Sequence, residues 1–501
     1  MKIQLSLLCC VSLATLAAAP VLRVDLSVAR ADVLLARLPA GDPWEKTPDG
    51  STLAWGESHL LHALVDLYEA TGEAKYLAEV ARRGDRLLGH RDDRRGVKDG
   101  SGHSRPAWSM ASKYVVATGT LRDTAGRPAL ELRSLPSAYN NSTRVTVTSA
   151  GPDRFSLRIV NEHFKREEWF ETLSLEPGAA RFVGRIMDNP VPSHVAKAGR
   201  FTERSGLIRV TIPAGARVPA PQSLTLEPVP LAYTGYLGVI YHPLLRLAEI
   251  VKADPRLAAM VPAADRFVRA AEESYADASA RLWREGPRAG EGYYLCCERG
   301  ESFPFDNIPE PFNYLGRHAS AQFALHRLTG RAEYRERATK LARLFHHRLK
   351  LDAARDLYTW NYWYEPVTTT GWTPANSPSF NLTNYPAVAA VEDTSHGILD
   401  VALLVNAHAA GVVVERRDLE RVANTLLRHV LNPERTSIRR RVDGQGGDHP
   451  PFLPALAGWL ELANVNPAVY REIRRTVENA AFEDLRVTAA LLKWERRLGN
   501  P

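Results

Sequence analysis

Apolar residues recur three and four positions apart in two closely matched stretches of this chain. The first is Leu64-Val-Asp-Leu-Tyr-Glu-Ala-Thr-Gly-Glu-Ala-Lys-Tyr76, leading into Val80-Ala-Arg-Arg-Gly-Asp-Arg-Leu-Leu88. The second is Phe323-Ala-Leu-His-Arg-Leu-Thr-Gly-Arg-Ala-Glu-Tyr334, leading into Ala338-Thr-Lys-Leu-Ala-Arg-Leu-Phe345. Each predicts an amphipathic helix, a Thr-Gly turn and a second amphipathic helix, because Gly ends a helix at little conformational cost. Looser versions of the plan run from Leu244 to Ala271 around Asp254-Pro255, from Ile398 to Leu431 around Gly411, and from Leu456 to Ala480 around Asn466-Pro467. Helical hairpins of this kind bury their apolar faces only against neighbouring hairpins. Either an open solenoid or a closed (α/α) toroid satisfies that requirement.

Between the first and second hairpins the period changes from helical to alternating. Thr143-Arg-Val-Thr-Val-Thr148, Phe155-Ser-Leu-Arg-Ile-Val160, Trp169-Phe-Glu-Thr-Leu-Ser-Leu175 and Leu207-Ile-Arg-Val-Thr-Ile212 are punctuated by Gly, Pro, Asn and Asp. This is the pattern of an antiparallel sandwich. The expected fold is therefore mainly α with an inserted β module, an (α/α) toroid or incomplete barrel plus an antiparallel β-sandwich. Residues 19–112 would form the first hairpin of the toroid, 113–230 the inserted sandwich and 231–501 the rest of the toroid.

Residues 1–18 fall outside that plan. Lys2 precedes an uncharged apolar stretch from Ile3 to Leu22, with Leu16-Ala17-Ala18 as a small-residue cleavage site and Ala29-Arg30-Ala31 as a second. The expectation is a signal peptide and a secreted or periplasmic protein with no integral membrane segment once the signal is removed. Two of the four cysteines, Cys9 and Cys10, lie in this stretch, leaving the neighbours Cys296 and Cys297. Adjacent Cα atoms are too close for an unstrained disulfide, so two partly buried thiols are expected.

The composition is that of a folded protein, 45% hydrophobic and 24% charged over 501 residues, with a net charge of +7. A positive surface suits an anionic partner, and the lack of a long Lys/Arg block argues against nucleic acid. No pattern in the sequence encodes an oligomeric state.

Loops at the rim of a helical-hairpin fold are free to carry chemistry. In Val391-Glu-Asp-Thr-Ser-His-Gly-Ile-Leu-Asp400, Asp393, Thr394 or Ser395 caps a helix that begins near His396. The helix dipole there disfavours imidazolium, while Glu392 and Asp393 push the other way. A neutral His396 beside an anion site suits a general base; equally, the acids simply cap the helix. Tyr358-Thr-Trp-Asn-Tyr-Trp-Tyr364 offers Trp360, Trp363 and Tyr362 as stacking faces around Asn361, or as core. Asn313, Tyr314, Arg317 and His318 open the helix of the second matched hairpin, and Asn313 and Arg317 share a face at i, i+4. Ala54-Trp-Gly-Glu-Ser-His59 and Gly102-His-Ser-Arg-Pro-Ala-Trp108 place Trp55 beside Glu57, and Trp108 near Arg105. Glu57 is a candidate acid and Arg105 a candidate carboxylate clamp. His242, in Tyr241-His242-Pro243, is a further candidate. No HExxH, phosphate-binding Gly loop or GxSxG elbow occurs, so neither a metal nor a cofactor is expected. Glu392, Asp393 and His396 are the nearest approach to a metal-ligand cluster.

Through Trp55-Gly-Glu57, the Thr-Gly-x-x-x-Tyr hairpins, Trp360-Asn-Tyr-Trp363 and Glu392-Asp-Thr-Ser-His396, the chain resembles the (α/α) toroid polysaccharide lyases and, in its helical part, the uronosyl C5-epimerases. It departs from them in placing the β module after the first hairpin. The resemblance implies a catalytic set of Asn, His, Tyr and Arg, here Asn313 or Asn361, His396 or His242, Tyr314 or Tyr362, and Arg105 or Arg317. The expected activity is β-elimination of a uronate-containing acidic polysaccharide, with His396 as base and Tyr362 as acid. Asn313, Arg317 and Arg105 would serve its carboxylate, and Trp55, Glu57, Trp108, His242, Trp360, Asn361, Trp363 and Glu392 would bind sugar. The alternatives are an inverting glycoside hydrolase using Glu57 with Glu392 or Asp393, an epimerase with a lyase-like set, and a non-catalytic glycan-binding protein.

Overall fold

Gly72 and Gly330 end the first helices of the two matched hairpins, both in the left-handed conformation, with φ of 77° and 72°. Their N–H groups close the last turn onto the Tyr68 and His326 carbonyls. The Thr-Gly signal is therefore a helix stop, as its spacing predicts. The computed structural model describes residues 24–38, 43–111, 115–135, 142–188, 204–364 and 367–499. The signal-peptide reading of residues 1–18 lies outside the described residues. Among those described, no helix is long and apolar enough to cross a membrane.

The chain is mainly helical, with antiparallel sheets. Among the described residues, the longer helices carry the helical body: α1 (Val28–Ala36), α2 (Ser58–Thr71), α3 (Ala74–Gly89), α4 (Gly235–Ala253), α5 (Val261–Leu282), α6 (Phe312–Thr329), α7 (Ala332–His346), α8 (Gly397–Ala409), α9 (Arg416–Thr425), α10 (Ala468–Asn479) and α11 (Leu485–Leu498). The loosest of the predicted hairpins is built differently from the others. Its first arm is a run of short helical turns over residues 450–464, interrupted by Pro454, before α10 begins.

Packing follows a closed cycle. α2 packs on α4, α4 on α6, α6 on α8, α8 on the 450–464 turns, those turns on α11, and α11 back on α2. Each member of the cycle carries a second helix behind it: α3, α5, α7, α9, α10 and, on α11, α1. The members approach one another closely where glycine permits. A Cβ on Gly238 of α4 would lie 2.5 Å from the His318 backbone nitrogen of α6, and one on Gly316 of α6 would lie 2.7 Å from the Leu399 carbonyl oxygen of α8. The helical body has one continuous apolar core running from Ala31 to Trp494.

Among the described residues, the alternating stretch forms eight strands: β1 (Ala117–Arg122), β2 (Pro128–Ser134), β3 (Thr143–Ser149), β4 (Phe155–Asn161), β5 (Arg166–Leu173), β6 (Ile208–Thr211), β7 (Gln222–Thr225) and β8 (Glu227–Pro228). They make two four-stranded antiparallel sheets, in the orders β6-β2-β1-β8 and β5-β4-β3-β7. Leu121, Leu130 and Leu132 of the first sheet and Val145, Leu157, Ile159 and Phe170 of the second share a buried cluster separate from the helical core. The sheets meet the helical body through the bond from the Val116 N–H to the Ser302 carbonyl and through Arg133, which reaches Asn381 and the Gly300 carbonyl.

Cys296 and Cys297 are free and fully buried rather than partly so, and burial pushes both thiols well above their ordinary range. They are inert packing groups.

Candidate functional site

The ring of helices surrounds a cavity of about 480 Å³, lined by side chains from α2, α4, α6, α8, α11 and the 450–464 turns. Trp55 stands in the turn before α2. His59 and His62 follow it at i+4 and i+7, so all three fall on one helix face, and that face lines the cavity. His242 and Arg246 come from α4, Arg317 from α6 and His396 from the residue that caps α8.

Charge in this cavity is nearly all compensated. The Arg246 guanidinium donates to Asp66 at 2.9 Å and Glu69 at 2.7 Å. Lys493, 1% exposed, donates to Asp66 at 3.0 Å and to Glu461 at 2.5 Å. Arg497 reaches Glu69 at 2.6 Å, and Arg327 reaches Glu249 at 2.5 Å. Every carboxylate lining the cavity is thus in an ion pair.

Arg317 is the exception. It is 7% exposed and has no carboxylate within ion-pair distance among the described residues. Its Nη1 donates to His242 Nδ1 at 3.0 Å, while its buried Nε has no partner. Burial, and then the charge of Arg246, lower its pKa to about 10, which still leaves it protonated at neutral pH. A buried cation with no carboxylate at ion-pair distance among the described residues, lining a cavity, has the chemistry to take an anion.

A relay of histidines holds Arg317 in place. Arg246 Nη1 lies 3.3 Å from His62 Nδ1, and His62 Nε2 lies 3.4 Å from His242 Nδ1. A guanidinium only donates, so this network assigns acceptor nitrogens to His62 Nδ1 and His242 Nδ1 and a proton to each Nε2. Burial and then the flanking guanidinium groups drive both imidazoles well below their ordinary pKa, so both are neutral. His59 is lowered to about 3, by burial first and then by Arg486 and Arg317.

The fourth histidine behaves differently. His396 Nδ1 meets Asp393 Oδ2 at 2.5 Å, and Asp393 Oδ1 accepts from the Ser395 and His396 N–H groups. Burial disfavours the imidazolium, but the Asp393 bond and charge, with Glu392 behind them, outweigh it and raise the His396 pKa above its ordinary value. Burial also works against the Asp393 carboxylate, yet these donors hold it at about 2. The helix-dipole argument that favours a neutral His396 is therefore overruled by a contact shorter and stronger than the dipole. Asp393 fixes the proton on Nδ1, leaving Nε2 as the acceptor.

A second layer backs this dyad. The fully buried Glu392 accepts from the Asp393 N–H at 2.8 Å and from Asn313 Nδ2 at 3.3 Å. Burial, and then the neighbouring Asp400, push Glu392 well above the carboxylate range. Asp400 is pushed the same way, chiefly by burial, although Trp360 Nε1 donates to it at 2.8 Å. The Tyr362 ring stands 5.9 Å from His396, and the Trp55 ring crosses His396 edge-on at 5.0 Å. Trp55 Nε1 in turn donates to the Tyr314 hydroxyl at 3.1 Å.

Of the residues singled out from the sequence, Trp55, His242, Arg317 and His396 line the cavity, while Asn313, Tyr362 and Glu392 stand in the layer behind His396. The others lie elsewhere. Arg105 is bound to Asp99 at 2.9 Å and Asp277 at 3.3 Å, so its clamp is already closed on protein acids. Glu57 is fully buried and held by Arg83 and Arg86, each at 2.9 Å, where it ties α2 to α3. Trp108 is core, donating to the Leu87 carbonyl, and Trp360 is core above Asp400. Asn361 accepts from Lys350, and Trp363 packs on Phe305. None of these six lines the cavity. Sequence reasoning passed over His62, Arg246 and Lys493. The Trp55, His59, His62 stripe was the available signal.

Glu392, Asp393 and His396 present ligand atoms within 4.8 Å of one another, the one such group among the described residues. Both Asp393 oxygens are already committed to the start of α8 and to the imidazole, which is the chemistry of a cap.

No protein-family model matches the chain, and no curated protein matches it. Among solved structures, it is similar to a GH76 alpha-mannanase of Bacteroides thetaiotaomicron at 10% identity, covering 50% of this chain and 61% of that one, with a TM-score of 0.33. It is similar to a D-mannose isomerase at 12% identity, covering 51% and 62%, with a TM-score of 0.31. A family 76 glycoside hydrolase from a bovine Bacteroides thetaiotaomicron strain matches at 8% identity, covering 73% and 78%, with a TM-score of 0.32. The chain thus spans about three fifths of the length of the first two. Likenesses at this level assign no activity.

Proposed function

We propose that the ring of hairpins is an (α/α) toroid with a β-sandwich set into it, and that the chain is an exported lyase acting on a uronate-containing glycan. The observation that carries this reading is Arg317, a buried guanidinium without a carboxylate partner among the described residues, lining the same cavity as His396 of the Asp393–His396 dyad. A uronate carboxylate supplies the missing anion. Paired to Arg317, it accepts the charge that develops when the C5 proton leaves. His396 Nε2 takes that proton, and Asp393 stabilises the imidazolium that forms. The electron pair of the C5–H bond becomes the C4–C5 double bond as the C4–O4 bond breaks. The imidazolium then protonates the departing glycosidic oxygen. One residue thus serves as base and acid in turn. Tyr362 does not line the cavity, and this route gives it no proton to deliver.

Hydrolysis is the competing class, and the names of two of the similar structures belong to it. An inverting hydrolase needs one protonated carboxyl and one carboxylate across the scissile bond. Here the four cavity acids are in ion pairs, and Glu57 is buried between two arginines. Glu392 and Asp393 carry the two protonation states such a pair needs, but neither lines the cavity, and Asp393 is bound to His396. Incubation with glucuronan, alginate, glycosaminoglycans and neutral mannan separates the classes. The expected result is ultraviolet absorbance of an unsaturated uronide from one acidic glycan, abolished by His396→Ala. New reducing ends without unsaturation, or turnover of mannan, overturn the lyase reading.

A further inference from the structure

Arg133 of β2 and Arg209 of β6 stand directly opposite each other in the antiparallel register, so two guanidinium side chains project from the same face of the sheet. Like charges so placed destabilise a sheet unless something lies between or above them. Here that is one aromatic ring. The Phe380 ring lies 5.7 Å from the Arg133 guanidinium carbon and 5.9 Å from that of Arg209. Phe380 is 42% exposed, one of three large apolar side chains left open to solvent among the described residues.

The loop that presents it is rigidly built. The fully buried Asp306 accepts from the N–H groups of Phe380 and Asn381, each at 3.0 Å, and from Gly300 at 2.7 Å, and it also bonds the Ser379 hydroxyl. Asn381, 4% exposed, accepts from Arg133 Nη2 at 2.7 Å and donates to the Glu301 and Phe303 carbonyls. A frame this well satisfied has ample apolar core nearby, in Ile308, Trp372 and Leu382, yet it turns its phenyl ring outward. Asp306 offsets part of the Arg133 charge, whereas among the described residues Arg209 is only weakly countered. The Asp188 carboxylate is 4.0 Å from Arg209 Nε and 71% exposed, and that Nε is buried without a hydrogen-bond partner.

We propose that Arg133, Arg209 and Phe380 form a second binding site, separate from the cavity, for an anionic oligosaccharide. The C–H face of a pyranose ring covers the phenyl ring, and its carboxylate or sulfate takes the Arg209 guanidinium and offsets the like-charge pair. None of the three residues lines the cavity. The site spans the seam between the first sheet and the helical body, so an occupant contacts both. It does not depend on the reaction proposed for the cavity, because its occupant is chosen by charge and ring face alone.

Affinity electrophoresis of the full chain through gels containing polyglucuronate, alginate, neutral mannan or single-stranded DNA tests the site. The expected result is retardation by an acidic glycan and not by mannan, weakened about tenfold or more in Phe380→Ala and in Arg209→Gln. Both variants should keep the wild-type circular dichroism and the wild-type response to substitution at His396. Unchanged retardation in both variants overturns the proposal, as does stronger binding to DNA than to either acidic glycan, or equal binding to mannan. A chain that binds acidic glycan here but cleaves none refutes the lyase reading and leaves this site standing.

Discussion

His396 Nδ1 and Asp393 Oδ2 stand 2.5 Å apart, three residues from each other at the start of α8, where His396 lines the cavity. The dyad gives the proposed elimination a definite pH dependence. Because the His396 pKa is raised, its base form is available only above the ordinary imidazole range, so kcat/KM should rise with pH through that raised value. Asp393→Asn removes the stabilising charge, moving this acid limb to lower pH and lowering the plateau by about 100-fold or more. The folding linkage has the opposite sign. The ion pair contributes stability below the unfolded histidine pKa, and that contribution is lost as pH rises through the raised folded value. A pH–rate profile together with denaturation midpoints across the same range checks both.

Arg317 is expected to bind substrate while contributing little to the stability of the fold. Replacing a buried, unpaired guanidinium by an apolar chain of similar size removes a desolvation cost, so Arg317→Met should fold as well as the wild type or better. The same change should raise KM by about 30-fold or more, the loss of a charge-assisted bidentate contact of about 2 kcal/mol or above. Arg317→Lys keeps the charge and loses the fork, and should fall between. Steady-state kinetics with urea denaturation separates the two effects.

Lys493 locks the ring. It carries α11 onto α2 through Asp66 and onto the 450–464 turns through Glu461. Lys493→Met leaves Asp66 with Arg246 as its remaining partner, so the loss should be moderate, about 1.5–3 kcal/mol in chemical denaturation.

Gly316 sets how closely α6 and α8 approach. A methyl group there meets the Leu399 carbonyl at 2.7 Å, and backbone cannot swing aside as a side chain would. Gly316→Ala should cost about 1–3 kcal/mol despite the better helix propensity of Ala, and should also lower activity because Arg317 and the start of α8 are displaced together. Thermal denaturation and kcat on the same preparation test the pair of effects.

The helical hairpins and the strand module were legible in the sequence because their periods differ and Gly72 and Gly330 mark helix ends. The closure of the ring was not, because α1 and α11 are single helices far apart in the chain that become neighbours only in three dimensions. His396 stood out because cap, acids and imidazole converge within six residues. In the sequence Arg317 offers only a face shared with Asn313, yet what distinguishes it is the lack of a carboxylate at ion-pair distance among the described residues, a property of packing. Arg105 shows the reverse. It looks like a clamp in the sequence, and Asp99 and Asp277, the latter 172 residues away, are what it clamps. Glu57 and Trp108 have the residue types of a sugar site, but their neighbours make them an internal ion-pair hub and a core indole.

The central claim is that His396 removes the C5 proton of a uronate held by Arg317. The direct measurement is proton NMR of an acidic oligosaccharide incubated with the protein, recording the C5 proton and the vinylic H4 of a C4–C5 double bond. The expected result is loss of the C5 signal in step with growth of H4 for the wild type, and neither change with His396→Ala. Cleavage with the C5 signal intact, or elimination that persists undiminished in His396→Ala, would contradict it.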